Sequence, residues 1–348
     1  MLKILHAPHG VAGNAYTLSK AERALGCLSD TMVFAGSALK FPVNNNLELE
    51  KVPRWPGRWR TLSFFLKACL RYEVFHFNFG GSLFSWYPSL ALRDLPLLKA
   101  MGKKIFHTFQ GCDVRSRALS LAKYQTSACH YCDFESCNDK AAKRKAEAVR
   151  IIARYADKIY VVNPDLLPFV PGAEFLPYAS VDPREWTPSP RPPQSTLTIL
   201  HAPTSRTIKG THFIIEAIEA LKKKGIPLRL LLVENVPYGE ARELYRQAHL
   251  AVDQLHAGWY GAFAVETMAM GIPTLCYLRD EDMAHLPFRE RIPIVRTSKE
   301  TLADDLLALV ESEPLRREIG EKSRAFVEDI HDPYKIAERL INDYMTSR

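Results

Sequence analysis

The chain has 348 residues, 47% of them hydrophobic and 24% charged, and a formal net charge of +7. This is the composition of a globular protein long enough for two domains, and it excludes a disordered or collagen-like chain. The charge is uneven, with 24 Lys and Arg against 14 Asp and Glu in residues 1–180 and 22 against 25 in residues 181–348, so an anionic partner is expected on the first half.

In chain order, Lys3–His6 is predicted as a strand and Thr17–Gly26 as a helix stopped at its glycine. Strands follow at Thr31–Phe34, Val74–Phe79, Lys104–Thr108 and Lys158–Val162, with helical patterns over Tyr87–Ala100 and Ala141–Tyr155. Alternation of this kind builds βαβ units around a mainly parallel sheet. Residues 181–196 then hold five prolines in sixteen positions, which marks a boundary. The pattern restarts at Leu197-Thr-Ile-Leu-His-Ala-Pro, an echo of Leu2-Lys-Ile-Leu-His-Ala-Pro. Helices are predicted at Thr211–Lys224, Tyr238–Ala248 and Phe263–Met270, and strands at Leu228–Val233, Leu250–Gln254, Thr274–Tyr277 and Ile294–Val295. Two helices close the chain, Thr301–Ile330, broken near Pro314, and Pro333–Thr346.

The expected organisation is therefore two Rossmann-like α/β domains. Residues 1–182 form the first, 183–196 the linker, 197–332 the second and 333–348 a terminal helix. Paired domains of this type take ligands at the carboxyl ends of their strands. No apolar run reaches the roughly 18 residues of a membrane span, and the apolar stretch at Met1–Pro8 is too short for a signal peptide, so a cytoplasmic protein is expected.

The stretch from Gly258 to Thr274 carries the most chemical information. A glycine-containing loop opens a helix with Glu266 in its first turns, and Gly271 and Pro273 close it. Free amides at a helix start bind anions, and a carboxylate a turn inside is placed to accept hydrogen bonds from a ribose diol. A solvated helix glutamate followed by an ordinary glycine stop is the alternative. Upstream, Arg206 and Lys209 follow the first strand of the second domain, two cations suited to a diphosphate. An ordinary basic turn before a helix has the same sequence.

Here the chain resembles the family-4 glycosyltransferases of the two-domain GT-B fold, from the first strand to the last helix. Glu266-Thr-Met-Ala-Met-Gly-Ile-Pro matches the second half of their signature, Glu, seven residues, Glu, then Ala-Met-Ala-x-Gly-x-Pro. The first glutamate of that signature falls on Gly258, a departure from the family. The resemblance implies two domains facing across a cleft, with the C-terminal helix crossing back to the first. It implies that Glu266 holds the donor ribose, that Arg206 and Lys209 clamp the diphosphate, and that Trp259, Tyr260, Gly261 and Ala262 wrap the donor sugar with their backbone amides. The loop Gly10-Val-Ala-Gly-Asn matches the family's N-terminal glycine loop, with Gly13 and Asn14 meeting donor phosphate and Gly10 and Gly13 on the acceptor side. His107 and Asp113 lie where the family's strand-end His and Gly/Ser-Asp stretch face the cleft, and Arg206, Lys209 and His107 are the catalytic candidates. A buried structural histidine is the competing reading of His107. The implied activity is retaining transfer of a sugar from a nucleoside-diphosphate sugar to a glycan, glycolipid or natural product, without a catalytic metal. A nucleotide-sugar 2-epimerase of the same fold and a nucleotide-sugar-binding protein without turnover are the alternatives.

Two stretches are peculiar to this chain. Cys129, Cys132 and Cys137 form a C-x2-C-x4-C run with Cys112 upstream, inside an irregular insertion at 112–139. A structural zinc is expected there, with Cys112, His107 or His130 as the fourth ligand; free buried thiols are the alternative. An odd number of cysteines, seven, argues against a disulfide framework. Residues 54–71 interleave Arg and Lys with Trp, Phe and Leu, which suits peripheral contact with an anionic membrane, although Ser63–Leu70 also reads as a helix packed on its own sheet. No nucleic-acid-binding motif accompanies the basic charge, and no nucleic-acid partner is expected.

Overall fold

The computed structural model describes residues 1–37, 39–135, 137–188 and 195–347. The expected linker at 183–196 therefore lies partly outside the described residues. The chain divides into two compact units. The first holds Met1–Arg117, Glu135–Ser180 and Pro333–Arg348, and the second holds Ala118–Phe134 and Val181–Asp332.

The first unit is built on a seven-stranded parallel sheet. Its strands are β1 (Lys3–Ala7), β2 (Leu28–Val33), β3 (Asn45–Asn46), β4 (Val74–Asn78), β5 (Lys104–Phe109), β6 (Lys158–Val161) and β7 (Glu174–Phe175), in the order β3-β2-β1-β4-β5-β6-β7. The central strands β1, β4 and β5 are buried on both faces, as parallel sheets require, and each carries one buried histidine, His6, His76 and His107, among its apolar residues. Helix α1 (Asn14–Ala24) starts at Gly13, whose φ of 70° favours a residue without a Cβ. Helices α2 (Arg54–Arg71), α3 (Asp94–Ala100) and α5 (Asp139–Tyr155) follow, whereas α4 (Arg117–Lys123) lies, apart from Arg117, in the second unit. Asn138 caps α5 by accepting the Ala141 N–H at 3.1 Å.

Two elements differ from the sequence reading. Only Asp94–Ala100 of the predicted helix Tyr87–Ala100 is helical. The buried Asp94 carboxylate accepts from Ser82 Oγ at 2.6 Å and from the Leu83 N–H at 2.8 Å, which holds the preceding stretch in turns. Helix α2 is longer than the apolar pattern at Ser63–Leu70. Pro56 falls in its first turn, where a missing N–H costs no hydrogen bond.

The second unit has a five-stranded parallel sheet of β8 (Leu197–His201), β9 (Leu228–Leu232), β10 (Leu250–Val252), β11 (Thr274–Cys276) and β12 (Val295–Arg296), in the order β12-β11-β10-β8-β9. Its helices are α6 (Arg206–Lys209), α7 (Thr211–Lys223), α8 (Tyr238–Tyr245), α9 (Ala262–Ala269), α10 (Asp280–Met283), α11 (Leu302–Glu311) and α12 (Glu313–Ile330). The break predicted near Pro314 is real. Ser312 ends α11 and caps α12 by accepting the Leu315 N–H at 3.3 Å, with Pro314 in the new first turn.

The terminal helix α13 (Pro333–Thr346) returns to the first unit. Ile336, Ala337, Leu340 and Tyr344 pack with Ile4, Val74 and Phe106. Tyr344 sets its ring edge-on to Phe106 at 4.6 Å and hydrogen-bonds His76.

Candidate functional site

In the second unit, chemistry converges on the carboxyl ends of β8 and β10. Ser205 caps α6, accepting the Ile208 N–H, and Gly210 ends it with φ 78°. This short helix presents Arg206 and Lys209. Lys209 Nζ reaches Asp253 Oδ1 at 2.8 Å, and the other oxygen of Asp253 accepts the Gly261 N–H at 2.6 Å. Asp253 is buried immediately beyond β10, so one carboxylate ties the cation to the loop that opens α9. Arg206 is exposed and is paired by Glu234, just past β9, with Nε at 2.8 Å.

Glu266 lies in the second turn of α9, 7% exposed, and its carboxylate has no hydrogen-bond partner among the described residues. Burial, and then the charge of Asp253, push its pKa up to about 8, against the opposing pull of Lys209. The Ala262 and Phe263 N–H groups at the start of α9 also have no partner among the described residues. An unpartnered buried carboxylate, free helix-start amides and a held lysine together suit a ligand with hydroxyls and a negative charge.

The side chains of Trp259 and Tyr260 are buried and stacked on each other at 4.1 Å, and Tyr260 Oη hydrogen-bonds His331 at 2.9 Å. The expected wrapping of a sugar by this loop concerns its backbone amides and is not altered by that packing. Gly258 has φ 79°, and a Cβ there would come within 1.9 Å of Arg279 Nε. Arg279 thus fills the space beside Gly258. Its backbone N–H donates to the Gly258 carbonyl at 3.0 Å and its Nη2 to the Ala257 carbonyl at 2.6 Å. It also pairs with Asp282 at 2.8 Å and lies 3.6 Å from the Tyr124 ring centroid.

Tyr124 belongs to the 118–134 segment, which forms part of this second unit. Its hydroxyl donates to Asp282 at 2.8 Å. Tyr131, from the same segment, stacks on His256 at 3.7 Å, and the His256 Nδ1–H donates to the Thr207 carbonyl of α6 at 3.2 Å. The segment is therefore tied both to α6 and to the loop before α9.

The expected zinc site finds no support. Among the described residues no group of three or more His, Cys, Asp or Glu is gathered for a metal ion. Cys129 and Cys132 lie in the second unit and Cys112 and Cys137 in the first. None of the seven cysteines is in a disulfide; Cys129 is buried and Cys112 exposed. The Tyr131–His256 stack and the contacts of Tyr124 with Arg279 and Asp282 anchor the segment.

In the first unit, the loops after β1, β4 and β5 meet. Gly10 and Gly13 border the turn into α1, and a Cβ on Gly13 would come within 3.1 Å of Phe41. Asn14 is buried and accepts the Ala179 N–H at 2.7 Å, a tie within the fold. His107 Nε2 accepts the Gly80 N–H at 3.1 Å, and burial lowers its pKa to about 3, so its ring is neutral. Asp113 closes its own loop by accepting from the Gln110 and Gly111 N–H groups, and burial raises its pKa to about 6. His9 stands beside them, its N–H donating to Asn78 Oδ1 at 3.2 Å.

Sequence reasoning missed Asp253, Glu234, Arg279 and His9. Asp253 carried a legible signal, an acid just past a short apolar strand. Arg279 carried none, because its role depends on the empty side-chain space at Gly258, twenty-one residues away.

No model of a protein family matches the chain, and no curated protein matches it. Solved structures resemble it along its whole length. Sucrose-phosphate synthase from Thermosynechococcus elongatus superposes with a TM-score of 0.67 at 16% identity, covering 99% of this chain and 98% of the other. Anabaena HepE in complex with UDP-glucose gives 0.64 at 12% identity, covering 99% and 100%. WaaG, a glycosyltransferase involved in lipopolysaccharide biosynthesis, gives 0.56 at 13% identity, covering 99% and 100%. The chain thus has the GT-B glycosyltransferase fold, an α/β architecture with two parallel sheets. A UDP-N-acetylglucosamine 2-epimerase from Listeria monocytogenes described as putative gives 0.56 at 11% identity, covering 98% and 95%.

Proposed function

We propose that this protein is a retaining, metal-independent glycosyltransferase of the hexosyltransferase type. It takes a sugar from a nucleoside-diphosphate donor to a glycan, glycolipid or natural-product acceptor on the cytoplasmic side of the cell. The observation that carries this reading is Glu266, a buried carboxylate without a hydrogen-bond partner among the described residues, on the helix whose first amide turn is tied through Asp253 to Lys209. A ribose diol supplies the two donors that such a carboxylate lacks. The diphosphate then lies toward Lys209, Arg206 and the amides of Ala262 and Phe263.

In the reaction the anomeric C–O bond to the diphosphate breaks and a bond from the acceptor hydroxyl to the same carbon forms. The acceptor proton leaves with a phosphate oxygen. Positive charge builds on the sugar ring and negative charge on the diphosphate, so cations fixed near the latter lower the barrier. Lys209 is the fixed cation. Arg206, exposed and paired by Glu234, is the one able to change partner when a phosphate arrives. Gly10, Gly13, His107 and Asp113 are the acceptor-side candidates, His107 as a neutral hydrogen-bonding group.

The 2-epimerase reading is kept by the resemblance to a putative enzyme of that class. Incubation with a panel of nucleotide sugars, with and without acceptors, separates the two. Transfer yields a nucleoside diphosphate and a glycoside with the donor's anomeric configuration. An epimerised donor formed without acceptor establishes the second reading, and tight binding with neither product leaves a binding protein.

A further inference from the structure

Helix α2 seats Gly57, Thr61, Phe65, Ala68 and Cys69 against the first unit. Phe65 meets Phe84 at 4.8 Å, and a Cβ on Gly57 would come within 2.7 Å of Tyr87 Oη, so this face is fixed closely to the body. The opposite face is apolar and open. Trp55 is 70% exposed, Trp59 66%, Leu62 38%, Leu66 56% and Leu70 89%. At about 100° per residue these five fall within an arc of about 80°, turned away from Gly57, Thr61, Phe65 and Ala68, with Cys69 at its edge. A soluble helix normally turns charge outward and this one turns out its largest apolar side chains.

The charges explain what covers the stripe. Helix α2 contains Arg54, Arg58, Arg60, Lys67 and Arg71 and not one acidic residue. Arg60, Lys67 and Arg71 lie in a row along one flank of the stripe. Arg71 is paired with Asp30 at 2.9 Å, whereas Arg54, Arg60 and Lys67 have no ion pair among the described residues. Arg58 lies over the Trp55 ring at 5.5 Å, an arrangement that leaves indole and cation side by side. No described helix is long and apolar enough to cross a membrane.

We infer that α2 is an interfacial helix that docks the first unit on an anionic lipid bilayer, with Trp55, Trp59, Leu62, Leu66 and Leu70 in the headgroup–acyl boundary and Arg60 and Lys67 on lipid phosphates. Indole rings and leucines supply the apolar insertion, and unpaired arginine and lysine supply the preference for negative headgroups. This inference goes beyond the proposed reaction and stands without it, since it rests on residues of the first unit alone.

The test is co-sedimentation of the full chain with vesicles, without nucleotide. One set is pure phosphatidylcholine and the other equal parts phosphatidylcholine and phosphatidylglycerol. The wild type is expected to bind the anionic vesicles, to release them at high salt, and to leave neutral vesicles unbound. Trp55→Ser with Trp59→Ser, and separately Arg60→Glu with Lys67→Glu, are each expected to weaken partition roughly tenfold or more. Both pairs are solvent-exposed, and an unchanged near-ultraviolet circular dichroism spectrum shows that the fold persists. Wild type that stays in the supernatant with anionic vesicles overturns the inference, as does full binding by both variants. A wild-type dimer that the tryptophan variant dissociates also overturns it, because the stripe then belongs to a second copy of the chain.

Discussion

Glu266 is costly to the empty protein and useful to the loaded one. A carboxyl with its pKa pushed up to about 8 is largely protonated at neutral pH, whereas a ribose diol donates best to the ionised form. Nucleotide binding near pH 7 is therefore expected to release about one proton. Titration calorimetry in buffers of different ionisation enthalpy reads that release, and Glu266→Gln abolishes it; proton uptake by the wild type contradicts the assignment. Lys209 is separable from this. Lys209→Ala is expected to weaken binding of a nucleoside diphosphate while leaving the bare nucleoside nearly unchanged, because only the former loses a charge partner. Equal losses mean that the Lys209–Asp253 pair merely holds the loop. At Gly258, a methyl group meets both a left-handed backbone and the Arg279 guanidinium. Gly258→Ala is expected to lower stability by at least about 1 kcal/mol, measured by denaturant unfolding. An unchanged midpoint shows that Arg279 has room to move.

The 118–134 segment belongs covalently to the first half of the chain and structurally to the second unit. Tyr131 stacks on His256, and His256 holds the carbonyl of Thr207 in α6, the helix that carries Arg206 and Lys209. Tyr131→Ala is expected to loosen α6 and lower nucleotide affinity severalfold in a folded protein, with Tyr131→Phe close to wild type. Affinity unchanged in Tyr131→Ala makes the stack ornamental to binding. No sequence signal announced this arrangement. The run Cys129–Cys137 offered metal-ligand spacing, which says nothing about which body each thiol joins. The regular elements were more legible. Strands such as Val74–Asn78 and helices such as Thr211–Lys223 follow from apolar runs and glycine stops, and the α11–α12 break follows from Ser312 and Pro314. The segment before α3 misled because its turns are held by a side chain, Asp94, that looks ordinary in a helical pattern.

At the scale of the molecule, the titrating groups set a pH profile. Burial raises the pKa of Asp94 and Asp113 to about 6 and of Glu266 to about 8, so their protonated forms favour the folded state. That contribution is full at low pH and is lost as pH rises through those values. Burial lowers His107 to about 3 and His201 to about 4, which favours the fold above the usual histidine range and is lost as pH falls. Between about pH 6 and 8 Glu266 is still losing its contribution while the buried histidines complete theirs near the usual histidine range, so Glu266→Gln is expected to gain stability relative to the wild type as pH rises across that window. Denaturant unfolding of both proteins at the two ends of the window reads the difference; a difference that stays constant contradicts the assignment. The two-body organisation and the residues Glu266, Arg206 and Lys209 were legible because they sit on punctuated motifs at strand ends. Asp253 carried the signal of an acid just past a short strand, but the tie it makes between two of these motifs became visible only once β10 was set beside β8.

The central claim is that a nucleoside diphosphate is held in the second unit through Glu266. Calorimetric affinity of the wild type and of Glu266→Ala for a uridine, guanosine and adenosine diphosphate series tests it most directly. Loss of hydrogen bonds to a charged acceptor costs about 1.5–3 kcal/mol, so at least one nucleotide is expected to bind the wild type and to bind the variant roughly 10- to 150-fold more weakly. A folded Glu266→Ala protein that binds the same nucleotide with wild-type affinity contradicts the account.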